Sequence, residues 1–247
     1  MLKIQTIFKR YEKKYIVTRE QKENFLEDIK DYIMPDKFGE STLCNIYFDT
    51  PDFRLIRNSI EKPIYKEKLR IRSYGVPTAQ SDVFVELKKK YKGVVYKRRI
   101  KMSYLDAVNY LCRGLKPETK NQQILSEIDY FLLFYPKIRP AASLFYDRTA
   151  YYSKEDSELR LTFDTNIRFR FKNFDLSKGS EGHYLMKNDK AILELKCVGS
   201  MPLWLTHALD KHKIYPSSFS KYGEAYKLIF NAKMKAKTKK NDIKSEE

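Results

Sequence analysis

The alternation of apolar and polar residues predicts β-strands along most of the chain. Successive side chains of a strand face opposite sides, so a period of two marks a strand with one packed face. Turn-forming residues separate several of these segments, for example at Lys92-Gly93 and at 179–182. The predicted strands span residues 8–17, 42–49, 64–74, 82–90, 94–102, 141–152, 158–171 and 191–198.

A helical spacing of apolar residues predicts several helices between the strands. Thr18 and Gln21 have the spacing of a capping box, which indicates a helix over 19–33. Ser103 is expected to cap a second helix that ends near Arg113. Further helices are predicted at 121–135, 202–211 and 218–232. Strands mixed with amphipathic helices predict an α+β fold.

Length and charge narrow the class of protein. The 247 residues suit one domain at 1–232 followed by a basic, disordered tail at 233–247. The formal net charge of +17 indicates an anionic partner. The cysteines have neither disulfide nor zinc spacing, and no apolar stretch resembles a signal peptide or a membrane span. We therefore expect a cytoplasmic protein whose contact with a membrane surface comes through a separate partner.

Positive charge is concentrated on one face of several predicted strands. In the segment 66–72, lysine and arginine alternate with apolar residues, and the segment 160–171 has a similar split. Such alternation also fits an ordinary sheet whose polar face lies in water. The faces are, however, dominated by lysine and arginine with single carboxylates between them. If the helices cover the apolar face, the cations point inward around a cavity, which predicts a closed antiparallel β-barrel that holds an anion and a divalent cation.

Short motifs in a fixed order resemble those of the triphosphate tunnel metalloenzyme (CYTH-like) superfamily. Within it, the chain resembles the polyphosphate polymerase, or vacuolar transporter chaperone (VTC), domain. Tunnel phosphatases open with Glu-x-Glu-x-Lys, whereas this chain has Arg10, Glu12 and Lys14, a departure that favours the polymerases. The motifs are Arg10–Tyr15, Tyr47–Thr50, Lys68–Arg72, Val85–Lys88, Tyr146–Arg148, Leu193–Lys196 and Phe219–Tyr222.

The resemblance implies a role for each matching residue. The catalytic cations would be Arg70, Arg72, Arg148, Arg160 and Lys221. Substrate would also be bound by Lys14, Lys88, Lys97, Tyr146, Lys196 and Ser220. Glu194 and Glu12 would hold Mn²⁺ or Mg²⁺. Arg98 and Arg99 compete with Lys97 for its role, and Asp164 is either a second metal ligand or an ion-pair partner of Arg160 or Arg168.

Three functions follow from this pattern. The first is a polymerase that transfers the γ-phosphate of ATP to polyphosphate and releases ADP, with a separate membrane partner for export. The second is a triphosphatase that hydrolyses inorganic triphosphate or nucleotides. The third is a non-catalytic binder of polyanions, since a basic groove alone binds them. Nucleic acid is disfavoured because no reading-helix motif is present. The sequence leaves the oligomeric state open.

Overall fold

The structure, a computed structural model, describes residues 10–92 and 94–231 and forms two compact units. Unit 1 contains residues 10–42, Tyr146–Ile167 and Met186–Phe219. Unit 2 contains Leu43–Phe145 apart from residue 93, Arg168–Leu185 and residues 220–231. The predicted basic tail at 233–247 lies outside the described residues, and the assignment of 1–232 to one domain stays a prediction.

Strands and helices alternate irregularly, which confirms the α+β class. The strands are β1 Arg10–Thr18, β2 Ile33–Pro35, β3 Ser41–Asp49, β4 Tyr65–Tyr74, β5 Asp82–Tyr91, β6 Val94–Ser103, β7 Arg139–Ser153, β8 Arg160–Arg170, β9 His183–Tyr184, β10 Lys190–Val198 and β11 Pro216–Ser217. The helices are α1 Arg19–Ile29, α2 Arg54–Ile60, α3 Tyr104–Arg113, α4 Gln122–Phe134, α5 Leu203–Lys211 and α6 at 221–231. No helix of the described residues is long and apolar enough to cross a membrane.

Local capping explains where two of the helices begin. The side chain of Thr18 accepts a hydrogen bond from the backbone N–H of Gln21, and Gln21 returns one to Thr18, so the predicted capping box is confirmed. Ser103 caps α3 as predicted. The first helix, predicted over 19–33, ends instead at Ile29, because Ile33 is buried in β2 and pairs with β7.

Unit 1 is a sheet with one apolar and one charged face. Its strand order is β11-β1-β10-β8-β7, with β2 beside β7, and β10 runs antiparallel to both β1 and β8. Tyr15, Phe163 and Leu193 lie on the apolar face, where Phe25 of α1 and Leu205 of α5 cover them. Because side chains alternate, the charged residues of β1, β8 and β10 share the other face.

Unit 2 repeats this separation of faces. Its strand order is β7-β3-β4-β5-β6, and β9 pairs with the end of β8. Leu69 of β4 and Leu87 of β5 pack against Tyr110 of α3 and Phe131 of α4 in one apolar core. Lys68, Arg70 and their neighbours therefore lie on the opposite face of this sheet. Neither unit's strand order closes on itself within the described residues, so the closed barrel remains a prediction.

Candidate active site

The charged face of unit 2 is organised around one buried carboxylate, Glu86. Arg70 donates to its Oε2 from Nε at 2.8 Å, and Lys97 Nζ lies 2.6 Å from Oε1. Arg72 Nε lies 4.0 Å from Oε2. Burial alone would raise the pKa of Glu86, but the positive charges of Arg70, Arg72 and Lys97 outweigh it and lower the pKa to about 2. Glu86 is therefore ionised at neutral pH and holds these cations in place.

Side chains of β3 hold the two arginines from the other side. Arg70 Nη1 donates to the hydroxyl of Tyr47 at 2.8 Å, and Arg72 Nε donates to Asn45 Oδ1 at 2.9 Å. Burial opposes ionisation of Tyr47, but Arg70, Arg72 and Lys68 lower its pKa to about 7. The low phenol pKa reflects a positive electrostatic environment around Tyr47, which persists although Glu86 neutralises some of the charge.

The Ser220-Lys221-Tyr222 motif starts α6 and is anchored to β3 and β4. Lys68 Nζ donates to Ser220 Oγ at 3.1 Å. Tyr222 donates its hydroxyl proton to the buried carboxylate of Asp49 at 2.9 Å and stacks on the ring of Tyr47. Lys221, between them in the chain, is half-buried. The anchor fixes the first turn of α6 and with it the backbone that carries Lys221.

The charged face of unit 1 has its own carboxylate, Glu194. Lys196 Nζ lies 2.7 Å from Glu194 Oε1, and Lys14 Nζ lies 3.8 Å from Oε2 and also 3.8 Å from Glu12. Burial alone would raise the pKa of Glu194, but Lys196, Lys14 and Arg148 lower it far below its usual value. The β1–β10 register explains this geometry, since Lys14 stands opposite Glu194 and Glu12 opposite Lys196.

Arg148 is held by a bidentate pair with Asp164. Its Nε and Nη2 donate to the two carboxylate oxygens at 2.6 and 2.8 Å, and Asp164 is fully buried. The guanidinium lies over the ring of Tyr146, 5.3 Å from its centre. This planar geometry leaves one edge of the guanidinium turned away from Asp164. Arg160, in contrast, is exposed, pairs with Asp36 and lies over Tyr152.

The comparisons with known proteins identify the family. The family model of the VTC domain matches residues 9–230. The chain belongs to the VTC-domain family. The matched range includes all of the motifs on which the sequence resemblance is based, from Arg10–Tyr15 to Phe219–Tyr222, although the binding role of each residue stays a prediction.

Solved structures share the fold of this VTC domain at low identity. A candidate adenylate cyclase from Bacillus halodurans is 15% identical with a TM-score of 0.51, and the match covers 85% of this chain and 92% of that one. A candidate adenylyl cyclase from Hippeastrum, described as having a dominant triphosphatase activity, is also 15% identical with a TM-score of 0.51, covering 87% and 93%. At this identity the likeness shows the fold alone.

The chemistry of Glu194 and Glu12 fits the divalent cation that the sequence resemblance implies, and this metal stays a prediction. The described residues contain no group of three or more histidine, cysteine or acidic side chains that could hold a metal by themselves. Mg²⁺ commonly takes only one or two carboxylates from the protein and its remaining ligands from phosphate and water. The ionised, buried Glu194, with Glu12 beside the shared Lys14, supplies a donor set of that kind.

Several residues of the VTC domain were missed or only partly understood from sequence. Glu86 was visible only as a carboxylate on a cationic strand face, and its central position depends on cross-strand partners. Asn45 and Tyr47 lie on one face of β3, and this shared face could have indicated that they contact the arginines.

Asp164 binds Arg148, a partner not predicted from the sequence, because the two residues meet across neighbouring strands. Of the three competing cations at 97–99, Lys97 is the one seen paired with Glu86, whereas Arg98 contacts Glu127.

Proposed function

We propose that this VTC domain is a polyphosphate polymerase that transfers the γ-phosphate of ATP to a growing polyphosphate chain and releases ADP. The proposal depends on one observation in a chain of the VTC-domain family. Strand faces carry arginines and lysines, and buried carboxylates hold the arginines in fixed orientations. Arginine in a fixed orientation suits phosphate because its planar donors match two phosphate oxygens.

In unit 2, phosphate binding would draw on cations that are already positioned. Arg70, Arg72 and Lys97 surround the single charge of Glu86, so positive charge remains in excess for a phosphate group. Ser220 Oγ accepts from Lys68 and from the backbone N–H of Gly223, which leaves its own proton suited to donation toward a phosphate oxygen. Lys221 and Lys88, both half-buried, would add charge to this face.

In unit 1, Arg148 would bind phosphate oxygens with the guanidinium edge that faces away from Asp164. The ring of Tyr146 packs against one face of that guanidinium. Lys14 and Lys196 both pair with Glu194. When bound by Glu194 and Glu12, Mn²⁺ or Mg²⁺ would neutralise charge on phosphate oxygens. Arg160, held at the strand end by Asp36, would give a more solvent-exposed contact.

The transfer itself needs no nucleophile from the protein. A terminal phosphate oxygen of the chain attacks the γ-phosphorus, a new P–O–P bond forms, and the bond from the γ-phosphorus to the β–γ bridging oxygen breaks, so that ADP leaves with the electron pair. Phosphoryl transfer depends mainly on alignment and on stabilising charge on the transferring group. The fixed arginines and lysines supply both.

The decisive experiment incubates the full chain with ATP and Mn²⁺ and stains a gel for polyphosphate. We expect long chains from the wild type and none, or far fewer, from Arg70→Ala and Lys221→Ala. Lys227→Ala is the matched control for Lys221 because Lys227 lies on the same helix and pairs with Glu224 in solvent. Arg98→Ala is the control for Arg70, since Arg98 pairs with Glu127 of α4.

Other outcomes assign other functions. Release of orthophosphate from labelled ATP without chains would assign a triphosphatase, the activity described for the Hippeastrum protein. ATP binding without turnover, unaffected by Glu194→Gln, would assign a non-catalytic polyanion binder. Full polymerase activity in both Arg70→Ala and Lys221→Ala would refute the site even if chains are made.

A further inference from the structure

One end of the β4–β5–β6 ribbon in unit 2 carries a group of exposed apolar side chains that the proposed polymerase does not use. Register groups Tyr65, Tyr91, Val94 and Tyr96 on one face, since Tyr65 stands opposite Tyr91, Tyr91 opposite Val94, and Lys89 opposite Tyr96. Strand parity puts Ile64 and Val95 on the other face at the same end of the ribbon. The backbone N–H of Lys92 donates to the carbonyl of Ile64 at 3.0 Å, which ties the start of β4 to the turn. We define the ribbon tip by these exposed residues: Ile64, Tyr65, Tyr91, Val94, Val95 and Tyr96.

The ribbon tip is partly exposed although it continues the strands whose apolar faces the helices cover. Tyr65, Tyr91 and Tyr96 lie on the same face as the buried core residues of these strands, yet Tyr96 is 50% and Ile64 67% exposed. Burial, a hydrogen bond to Glu67 and the neighbouring phenols of Tyr135 and Tyr130 raise the pKa of Tyr65. This places Tyr130 of α4, itself exposed, beside the ribbon tip. Aromatic and aliphatic side chains grouped in this way mark an interaction surface.

Positive charge predominates around the ribbon tip, where Glu67, paired with Lys89, is the acidic neighbour that hydrogen-bonds with Tyr65. The opposite face of the ribbon carries lysines close enough that burial and the charges of Lys90, Lys62 and Lys88 lower the pKa of Lys66. The segment 88–99 contains no acidic residue, and its cations are Lys88, Lys89, Lys90, Lys92, Lys97, Arg98 and Arg99. A partner for this surface therefore has to be anionic and must also accept apolar side chains.

We propose that the ribbon tip docks on the surface of an anionic lipid bilayer, with its tyrosines and aliphatic side chains at headgroup level and its lysines against the lipid charges. Tyrosine is enriched at the membrane interface, and lysine clusters are attracted to anionic leaflets. Protein–protein interfaces, in contrast, are depleted in lysine. A purely polar polyanion would leave Ile64, Val94 and Val95 in water. The proposal does not depend on the polymerase activity, because Lys90, Lys92 and the exposed apolar residues of the ribbon tip do not belong to the candidate active site, unlike Lys88 and Lys97.

The test is flotation of the full chain with vesicles of mixed phosphatidylserine and phosphatidylcholine, and with vesicles of phosphatidylcholine alone. We expect at least about tenfold stronger binding to the anionic vesicles, weakened by added salt. The variants Tyr91→Ser/Tyr96→Ser and Lys90→Gln/Lys92→Gln should each lose about tenfold in binding. Thermal melting of each variant shows that it is folded.

Two controls separate the ribbon tip from other sources of binding. Tyr215→Ser/Lys227→Gln changes an exposed tyrosine and an exposed lysine elsewhere, and should bind like the wild type. A chain ending at residue 232 lacks the basic tail and should retain most of the binding. The proposal is overturned if the wild type does not float with anionic vesicles, if the tip variants float like the wild type, or if removing the tail alone abolishes binding.

Discussion

Replacing Glu86 by glutamine removes a negative charge that contacts three cations on the charged face of unit 2. The shape of the side chain is kept, so Arg70, Arg72 and Lys97 keep a neighbour of the same size. The amide, however, cannot offset their charges, and its NH₂ group adds donors where donors already converge. We expect the folded state of Glu86→Gln to be destabilised by repulsion among these cations.

The magnitude of this effect follows from the pKa of Glu86. Its lowering from 4.5 to about 2 is equivalent to about 3 kcal/mol of preference for the ionised carboxylate in the folded state, and Glu86 is only 2% exposed. Because the folded pKa lies below the unfolded one, this stability is present above about pH 4.5 and is lost as the pH falls toward 2. The difference between wild type and Glu86→Gln should therefore shrink over the same interval.

Urea denaturation between neutral and acidic pH measures both predictions. We expect Glu86→Gln to lose about 3 kcal/mol of unfolding free energy at pH 7 and to show a flatter acid limb. Tripolyphosphate should restore more stability to the variant than to the wild type, because the anion supplies the missing negative charge. Glu127→Gln is the control, since its pair with Arg98 is partly exposed and should cost less than about 1 kcal/mol. Equal stability and parallel pH profiles for wild type and Glu86→Gln would refute the reasoning.

Three further predictions address the other contacts. Tyr222→Phe removes a hydrogen bond to the buried Asp49 and should cost about 1.5–3 kcal/mol in urea denaturation; no loss would mean that the bond does not anchor α6. Asp164→Ala leaves Arg148 without its bidentate partner and should cost about 3–5 kcal/mol in the same assay, whereas a neutral result would contradict the pairing. Glu194→Gln should weaken Mn²⁺ binding in the presence of tripolyphosphate by more than about tenfold in calorimetry, and unchanged binding would remove Glu194 from the metal site.

Strand positions were predictable because burial imposes a strict period of two. In β4, Leu69 and Ile71 are fully buried, whereas Lys68 and Arg70, which alternate with them, are only partly buried, so the alternation in the sequence corresponds to a real difference between the two faces. A register shift by one residue would bury the cations and expose the leucine. The sequence pattern therefore specifies which face of the strand is buried. The predicted strand boundaries that fall on described residues therefore lie within about two residues of the observed ones, whereas the predicted start of the first strand at residue 8 lies outside the described residues.

The elements that were missed depend on contacts with residues outside their own segments. α2 has no N-cap of its own, since Phe53 at that position has φ 60° and makes no capping bond. Instead, the carboxylate of Asp49 accepts from the backbone N–H groups of Leu55 and Ile56 at 2.8 and 3.0 Å. A cap supplied from the end of β3 leaves no signal at the usual spacing. The short β2, β9 and β11 are likewise set by pairing and not by any local pattern.

The sequence predicts which strand face each candidate site residue lies on, but it does not predict which residue each of them contacts. Strand parity places Arg70 and Arg72 on one face, and Glu194 and Lys196 on another, before any coordinates are known. Which residue meets which depends on the register between strands, and register brought Arg148 to Asp164 and Lys97 to Glu86. Periodicity within one strand carries no information about such cross-strand pairs.

The buried carboxylates Glu86 and Glu194 would affect folding and the proposed phosphate binding in opposite directions. Without Glu86 and Glu194, the converging cations would repel one another in the absence of an anion, so each carboxylate stabilises the unliganded protein. If phosphate binds as proposed, the same carboxylates compete with it for Arg70, Lys97 and Lys196, and therefore lower the affinity of each contact. In the proposed polymerase this reduced affinity is useful, because the product chain has to advance by one phosphate after every transfer, and a chain held too tightly would not move.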